Sequence, residues 1–148
     1  MYYSIAIPIN DFNINNVIIK DHTVNKIIPD STFCKLMYST SDCHISGIPL
    51  CVNLFEFNTS TKYKFVIHKE KSKNAIELLQ RSEECILHLY SKNIYNKKPI
   101  YKLSNQLIRG IIKLNNESYT SNQFIIKIIG IWESNKEYGL TYRLTNHR

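Results

Sequence analysis

The chain has 148 residues, a hydrophobic content of 43% and a formal net charge of +7. This length predicts a single domain that buries a core without disulfides or a structural metal, and the composition excludes a disordered chain. Isoleucine, asparagine, lysine and tyrosine supply 64 of the residues. AT-rich codons encode all four, which indicates an AT-rich genome such as that of a virus, a parasite or an organelle.

The charge is unevenly distributed along the chain. Residues 1–58 carry a net charge of −2, and residues 59–148 carry +9. A basic excess that is confined to part of a domain is typical of a protein with a polyanionic partner. The alternative is codon bias, because AT-rich genomes favour lysine.

Several classes of protein are disfavoured. The first residues resemble no secretory signal, and no run approaches the roughly 18 apolar residues of a membrane span. We therefore expect an intracellular protein, in the cytoplasm or nucleus of a host cell, with no membrane partner. The cysteines, at positions 34, 43, 51 and 85, show no Cys-x-x-Cys spacing. This spacing predicts no metal site, and nothing in the sequence indicates a cofactor. The apolar surroundings of Cys34, Cys51 and Cys85 predict that these three thiols are buried.

Residues 1–32 are expected to form an N-terminal arm or edge strands. Short apolar alternations occur there, but Pro8 and Pro29 argue against central positions in a sheet. From residue 33 the period-2 signal strengthens over residues 33–39, 48–57 and 62–68, with turn residues between these runs. The pattern predicts a three-stranded antiparallel meander at the start of a single domain over residues 33–148.

In the second half of the chain the hydrophobic period changes from that of a strand to that of a helix. Residues 74–92 repeat apolar side chains at helical spacing, and Asn74 with Glu77 suggests a capping box at the start. Strands are predicted at residues 107–114, 123–132 and 138–144, the last two as a hairpin. The fold class is thus mainly β (α+β). The element order predicts a five- to six-stranded OB-like Greek-key barrel with one helix between strands 3 and 4.

The C-terminal segment carries a resemblance. A strand ending in GIW, a polar turn and the return strand YGLTYRL resemble the end of the OB-fold single-stranded DNA-binding proteins of large nucleocytoplasmic DNA viruses. The runs FCKLMYS, GIPLCVNLFEF and the predicted helix are similar to other parts of that family, in the same order. The resemblance implies a non-catalytic role in DNA replication or repair at a viral replication site.

OB-folds bind single strands through aromatic rings that stack on bases and through lysine and arginine side chains that follow the phosphates. Aromatic and basic residues alternate on several of the predicted strands. We expect the nucleic-acid-binding residues to be Lys35, Tyr38, Phe55, Lys62, Tyr63, Lys64, Arg109, Lys113, Tyr138 and Arg143. Trp132, the only tryptophan, is in phase with Phe124, Ile126 and Ile128. That phase predicts a core position, with ligand contact as the alternative.

Catalysis finds little support in the sequence. The glycines stand alone, the histidines are scattered, and all the aspartates precede residue 43. We therefore expect a non-enzymatic protein that binds single-stranded DNA with little sequence preference, and RNA is not excluded. The alternative is a structural or interaction domain that forms homo-oligomers through sheet edges.

Overall fold

A computed structural model describes residues 6–25, 27, 29–57, 64–92, 94–113 and 122–146. The fold is mainly β, with two α-helices in this part of the chain. The strands are β1 (Ile7–Pro8), β2 (Val17–Val24), β3 (Thr32–Ser39), β4 (His44–Ser46), β5 (Ile48–Asn53), β6 (Lys64–Val66), β7 (Lys98–Ile100), β8 (Ile111–Lys113), β9 (Gln123–Glu133) and β10 (Glu137–Asn146). The helices are α1 (Lys73–Ser91) and α2 (Lys102–Arg109), and 3₁₀ turns lie at Ile9–Asp11 and Ile14–Asn16.

Strand β9 is the centre of the main sheet. Along one edge its first half pairs with β5 and its second half with β3, and along the other edge it pairs with β10. β2 and β4 pair with β3, while β1 and β7 extend the sheet by parallel pairing. β6 and β8 form a separate two-stranded sheet. The described strands thus form an open mixed sheet and no closed barrel, so the predicted barrel is not confirmed.

A β-bulge interrupts the hairpin of β9 and β10. Thr141 lies opposite Gly130, and the next residue, Tyr142, lies opposite Ile128. Ile129 is therefore the extra residue on β9. Because side chains alternate between the two faces of a strand, one extra residue reverses the alternation beyond it. The bulge consequently sends Trp132 to the face opposite Phe124 and Ile126.

Helix α1 confirms the predicted helix within one residue at each end. Its apolar stripe, which includes Leu79, Ile86 and Tyr90, is buried against the sheet. The predicted capping box at Asn74 is wrong, because the residue that precedes the helix is Ser72. The hydroxyl oxygen of Ser72 accepts a hydrogen bond from the backbone N–H of Phe55 at 2.9 Å. This bond ties the start of α1 to the segment after β5.

The described residues 107–113 of the strand predicted at 107–114 do not form one continuous strand. They divide into the end of α2, a turn at Gly110 and the short strand β8. Leu103 and Leu107, four residues apart, are both buried, which is the spacing of a helix face. Gly110 has φ of 78°, and this left-handed conformation ends the helix. Arg109 and Lys113 therefore belong to different elements and do not share one face of a strand.

Both helices lie on the core face of the sheet. The Tyr90 ring of α1 contacts Tyr138 of β10, with 5.6 Å between ring centroids, and Gln106 of α2 contacts Tyr142. The opposite side of β3, β9 and β10 carries Phe33, Lys35, Lys127, Trp132 and Arg143. We call it the open face, because its three cationic side chains are exposed.

Candidate nucleic-acid interface

A cleft with a strongly basic lining lies between α2 and the small sheet of β6 and β8. Its volume is about 640 Å³. The described residues that line it include no acid. Its charged members are Lys64, Lys102, Arg109 and Lys113, and its other members are Ile100, Asn105, Gln106, Ile111, Tyr142 and Leu144. We call this the basic cleft. Three of the predicted contact residues, Lys64, Arg109 and Lys113, meet there.

The two lysines of the small sheet face each other. Lys64 of β6 lies directly opposite Lys113 of β8 in an antiparallel pair, and both side chains are exposed. Like charges that lie directly opposite each other destabilise a sheet. An anion bound between the two ammonium groups would remove that repulsion, so the pair favours an anionic ligand.

Helix α2 supplies the other two cations. Lys102 and Arg109 are its first and last residues. A separation of seven residues places them on one side of the helix, two turns apart. Together with Lys64 and Lys113 they spread positive charge along the cleft, which suits an extended anion such as a phosphate backbone.

A buried carboxylate of α1 holds α2 in place. Glu83 is fully buried, and its Oε1 accepts hydrogen bonds from the Ser104 backbone N–H at 2.8 Å and from the Ser104 hydroxyl at 2.5 Å. Its Oε2 accepts one from the Leu103 N–H at 3.0 Å. Glu83 therefore caps the N-terminus of α2, where backbone N–H groups lack partners within the helix. The cap fixes the position of Lys102 and Arg109.

Tyr142 separates the basic cleft from a second depression. Its hydroxyl donates a hydrogen bond to Gln106 Oε1 at 2.6 Å. Burial and the nearby Glu83 carboxylate raise the pKa of Tyr142 well above its usual range, so the hydroxyl stays protonated. Tyr142 and Lys102 line both depressions, so the two depressions are neighbours.

The second depression is largely apolar and has a volume of about 610 Å³. It lies at the end of the open face where β2 and the residues after it form a wall. Its lining residues are Thr23, Val24, Asn25, Ile27, Phe33, Lys102, Ile129, Trp132, Leu140, Thr141 and Tyr142. We call it the aromatic groove, after Phe33 and Trp132, which are opposite each other on β3 and β9.

Two glycines allow these rings to approach the sheet closely. A Cβ atom on Gly130 would lie 2.4 Å from Phe33 Cζ, and one on Gly139 would lie 3.0 Å from Trp132 Cζ2. Each ring therefore occupies space that a side chain on the neighbouring strand would fill. Trp132 is half-buried and lines the groove, so its predicted core position is wrong. The bulge at Ile129 is the physical reason.

Exposed cations continue along the open face. Thr141 of the groove is two residues from Arg143 on β10, so the two side chains share a face. Arg143 lies opposite Lys127 of β9, and Lys35 lies opposite Gly130. The predicted contact residues Lys35 and Arg143 thus lie beside the aromatic groove, outside the basic cleft.

A third, shallower depression lies on the other side of the cleft. It shares Arg109 and Ile111 with the cleft, and it adds Phe57 and His68, whose ring centroids are 5.3 Å apart. The three depressions therefore lie next to one another along the surface, and an extended ligand such as a polymer can contact all three.

The remaining predicted contact residues lie elsewhere. Tyr38 and Tyr138 are only 2% and 4% exposed and belong to the core, so the expectation that they contact a ligand is wrong. The hydroxyl of Tyr38 accepts a hydrogen bond from the Asn13 N–H at 2.9 Å. Phe55 is partly exposed but lines none of the three depressions. Lys62 and Tyr63 lie outside the described residues.

A polar network joins β9 to α1 and to the segment before β7. Glu133 accepts hydrogen bonds from the Tyr90 hydroxyl and from Lys97, and His22 Nε2 lies 3.6 Å from its Oε1. Burial alone would raise the pKa of Glu133. The hydrogen bonds from Lys97 and Tyr90, with the charges of Lys97 and His22, outweigh burial and lower the pKa. Glu133 is thus an ionised structural anchor on the core face.

Phe33 and Tyr142 are not among the contact residues that the sequence predicts. Lys102 belongs to a basic stretch that the sequence leaves open as either a solvated connector or a phosphate contact, and Phe33 starts the first strand of the predicted meander. One signal was available: Gly130 and Gly139 lie within strand patterns, and a glycine there often marks a close approach by another group.

The comparisons with known proteins identify no relative. No protein-family model, no curated protein and no solved structure matches the chain. Neither helix in the described part of the chain is long and apolar enough to cross a membrane. The described residues contain no cluster of three or more histidine, cysteine, aspartate or glutamate side chains that could hold a metal ion.

Proposed function

We propose that this protein binds single-stranded DNA with little sequence preference. The observation that carries the proposal is the basic cleft, where Lys64, Lys102, Arg109 and Lys113 converge and no acid is found among the described lining residues. Such a cleft attracts a phosphate backbone, and binding releases the counterions of that backbone. Phosphate contacts carry no sequence information, so the strand would be bound whatever its bases.

Two further features support a single strand over other polyanions. The cleft adjoins a groove with aromatic side chains, and unpaired bases stack on such rings, whereas bases inside a duplex do not expose their faces. The facing lysines on β6 and β8 gain a shared counter-charge when a phosphate lies between them.

The OB-like arrangement and the viral replication role belong to this proposal as well. The order of an antiparallel strand set, a long helix and a C-terminal hairpin supports the OB-like interpretation. An experimental structure of the complex would test it. A strand that runs from the basic cleft beside α2 onto the open face of β3, β9 and β10 is the expected result, and a strand that leaves the open face empty would overturn it.

The experiment that tests the function is a titration with labelled oligo-dT of about 30 nucleotides, followed by fluorescence anisotropy. Mixed-sequence single strands should compete about as well as oligo-dT, and duplex DNA should compete weakly. A titration with RNA of the same sequence shows which of the two nucleic acids the protein binds more tightly. An absence of binding at low salt would refute the proposal.

A second candidate function is self-association. Val24 is 82% exposed and Ile27 is 89% exposed. In the part of the chain that the structure describes, β2 pairs with β3 alone, so its other edge can accept a strand. Light scattering with size-exclusion chromatography tests this candidate. A stable dimer that Val24→Lys dissociates, without any oligonucleotide binding, would favour it over the first.

A further inference from the structure

We infer that the aromatic groove is a binding site for the unpaired bases of the strand whose phosphates occupy the basic cleft. This inference rests on the proposed function and adds to it a second subsite with a different chemistry. It assigns base contact to Phe33 and Trp132 in place of the buried Tyr38 and Tyr138.

The first step is the placement of the rings. Phe33 and Trp132 are cross-strand partners on the open face, above Gly130 and Gly139. An aromatic ring that serves only to fill a core is surrounded by other side chains. These rings instead line a depression that opens to the surface, where a planar base can stack on them.

The second step is that the aromatic groove adjoins the basic cleft. Lys102 and Tyr142 line both the cleft and the groove. In a nucleic acid each base is joined through its sugar to a phosphate, so a basic path and an adjacent apolar path are both needed. The shared residues place the two paths side by side.

The third step concerns the occupant. An apolar peptide or a second copy of the chain could also cover Val24 and Ile27. Lys35, Lys127 and Arg143 are exposed on the same face as the groove, however. Cations around an apolar groove match a ligand that has both apolar rings and negative charges, as a nucleotide strand has.

The volume of the groove agrees with this occupant. About 610 Å³ lies within the range of roughly 300–1,000 Å³ that is usual for ligand sites. The bulge at Ile129 turns Trp132 towards this space, and bulges are common next to functional sites because they redirect a side chain.

The test compares two strands that carry the same phosphates. One is oligo-dT of about 12 nucleotides, and the other is an abasic oligomer of equal length. Since Trp132 is the only tryptophan, its fluorescence reports the groove directly. Oligo-dT should quench Trp132 and should bind at least about tenfold more tightly, the effect expected for stacking of one or more bases. The abasic strand should bind without quenching.

Two variants provide an independent readout. Trp132→Leu should reduce oligo-dT affinity about tenfold and leave abasic affinity unchanged, whereas Trp132→Phe should retain most of the affinity. Circular dichroism first establishes that each variant is folded. If a variant is not folded, the quenching of Trp132 in the wild-type protein still tests the inference. Equal affinity for both strands without quenching would overturn the inference and leave the basic cleft as the site. Failure of both strands to bind would refute the proposed function itself.

Discussion

At the scale of single residues, close packing on the open face depends on glycine. Gly130 lies where β3 and β9 approach each other, and a Cβ atom there would lie 2.2 Å from the carbonyl oxygen of Cys34. The neighbour is backbone, so it cannot rotate away. Gly130 thus permits both the β3–β9 pairing and the position of the Phe33 ring.

Substitution of Gly130 should therefore destabilise the fold. We expect Gly130→Ala to lower the free energy of unfolding by about 1–3 kcal/mol, the usual cost of overpacking. Urea denaturation measures this cost. Lys127→Ala, at an exposed position on the same strand, is the control and should stay within about 0.5 kcal/mol of the wild type. Equal stability of the two variants would show that β3 can move away from β9 without cost.

At this scale the structure brings three of the predicted cations together and buries two of the predicted aromatic residues, while ligand contact by the cations stays a prediction. Lys64, Arg109 and Lys113 were predicted contact residues and do meet in one cleft. The burial of Tyr38 and Tyr138 depends on Asn13 and Tyr90, which are distant in sequence and are brought close by the fold. For Trp132, the prediction assumes that side chains alternate regularly along β9 from Phe124. A bulge interrupts that alternation, and only the pairing of β9 with β10 reveals the bulge.

At the scale of elements, α2 depends on the cap that α1 supplies. We expect Glu83→Ala to lower the free energy of unfolding by about 1–3 kcal/mol, because buried N–H and hydroxyl donors of Leu103 and Ser104 lose their acceptor. Displacement of α2 should also weaken DNA binding, since the helix carries two cations of the cleft. Glu84→Ala, one residue away and exposed, is the matched control. Equal unfolding free energies for the two variants would contradict the capping role.

This cap also explains why α2 escaped prediction. The apolar residues from Leu107 to Ile112 resemble a strand when they are considered alone. The group that caps the helix lies about 20 residues earlier in the chain, in another helix. In contrast, α1 and the hairpin of β9 and β10 have strong local periodicity, and the structure has them at the predicted positions.

The network around Glu133 predicts a dependence of stability on pH. Its pKa is lowered in the folded protein, so the folded state binds fewer protons than the unfolded state near that pKa. The stabilisation is therefore present above the ordinary pKa of about 4.5 and is lost as the pH falls through the lower folded value. Urea titrations between pH 7 and pH 3 should show a difference between wild type and Glu133→Gln that shrinks on acidification. A difference independent of pH would contradict this assignment.

At the scale of the whole molecule, the basic residues of the second half do not form one uniform surface. Four line the cleft, and others lie on the open face or on the exposed side of α1, such as Arg81. Total charge alone would draw DNA to any of these places. Because the cleft is the proposed phosphate site, equal changes of charge at different places should have unequal effects on binding.

The measurement that tests this claim most directly is the salt dependence of oligo-dT affinity. For single strands the logarithm of the binding constant falls against the logarithm of the salt concentration by about 0.7 for each neutralised phosphate. Each of the four cations in the cleft contributes about −0.7 to this slope, so neutralising two of them reduces its magnitude by about 1.4.

The variant that neutralises two cleft cations is Lys64→Gln with Lys113→Gln, and Arg81→Gln on α1 is the control. We predict that the double variant reduces the magnitude of the slope by about 1.4 and that the control keeps the wild-type value. An unchanged slope in the double variant, or a loss of the same size per charge in Arg81→Gln, would contradict the cleft as the phosphate site.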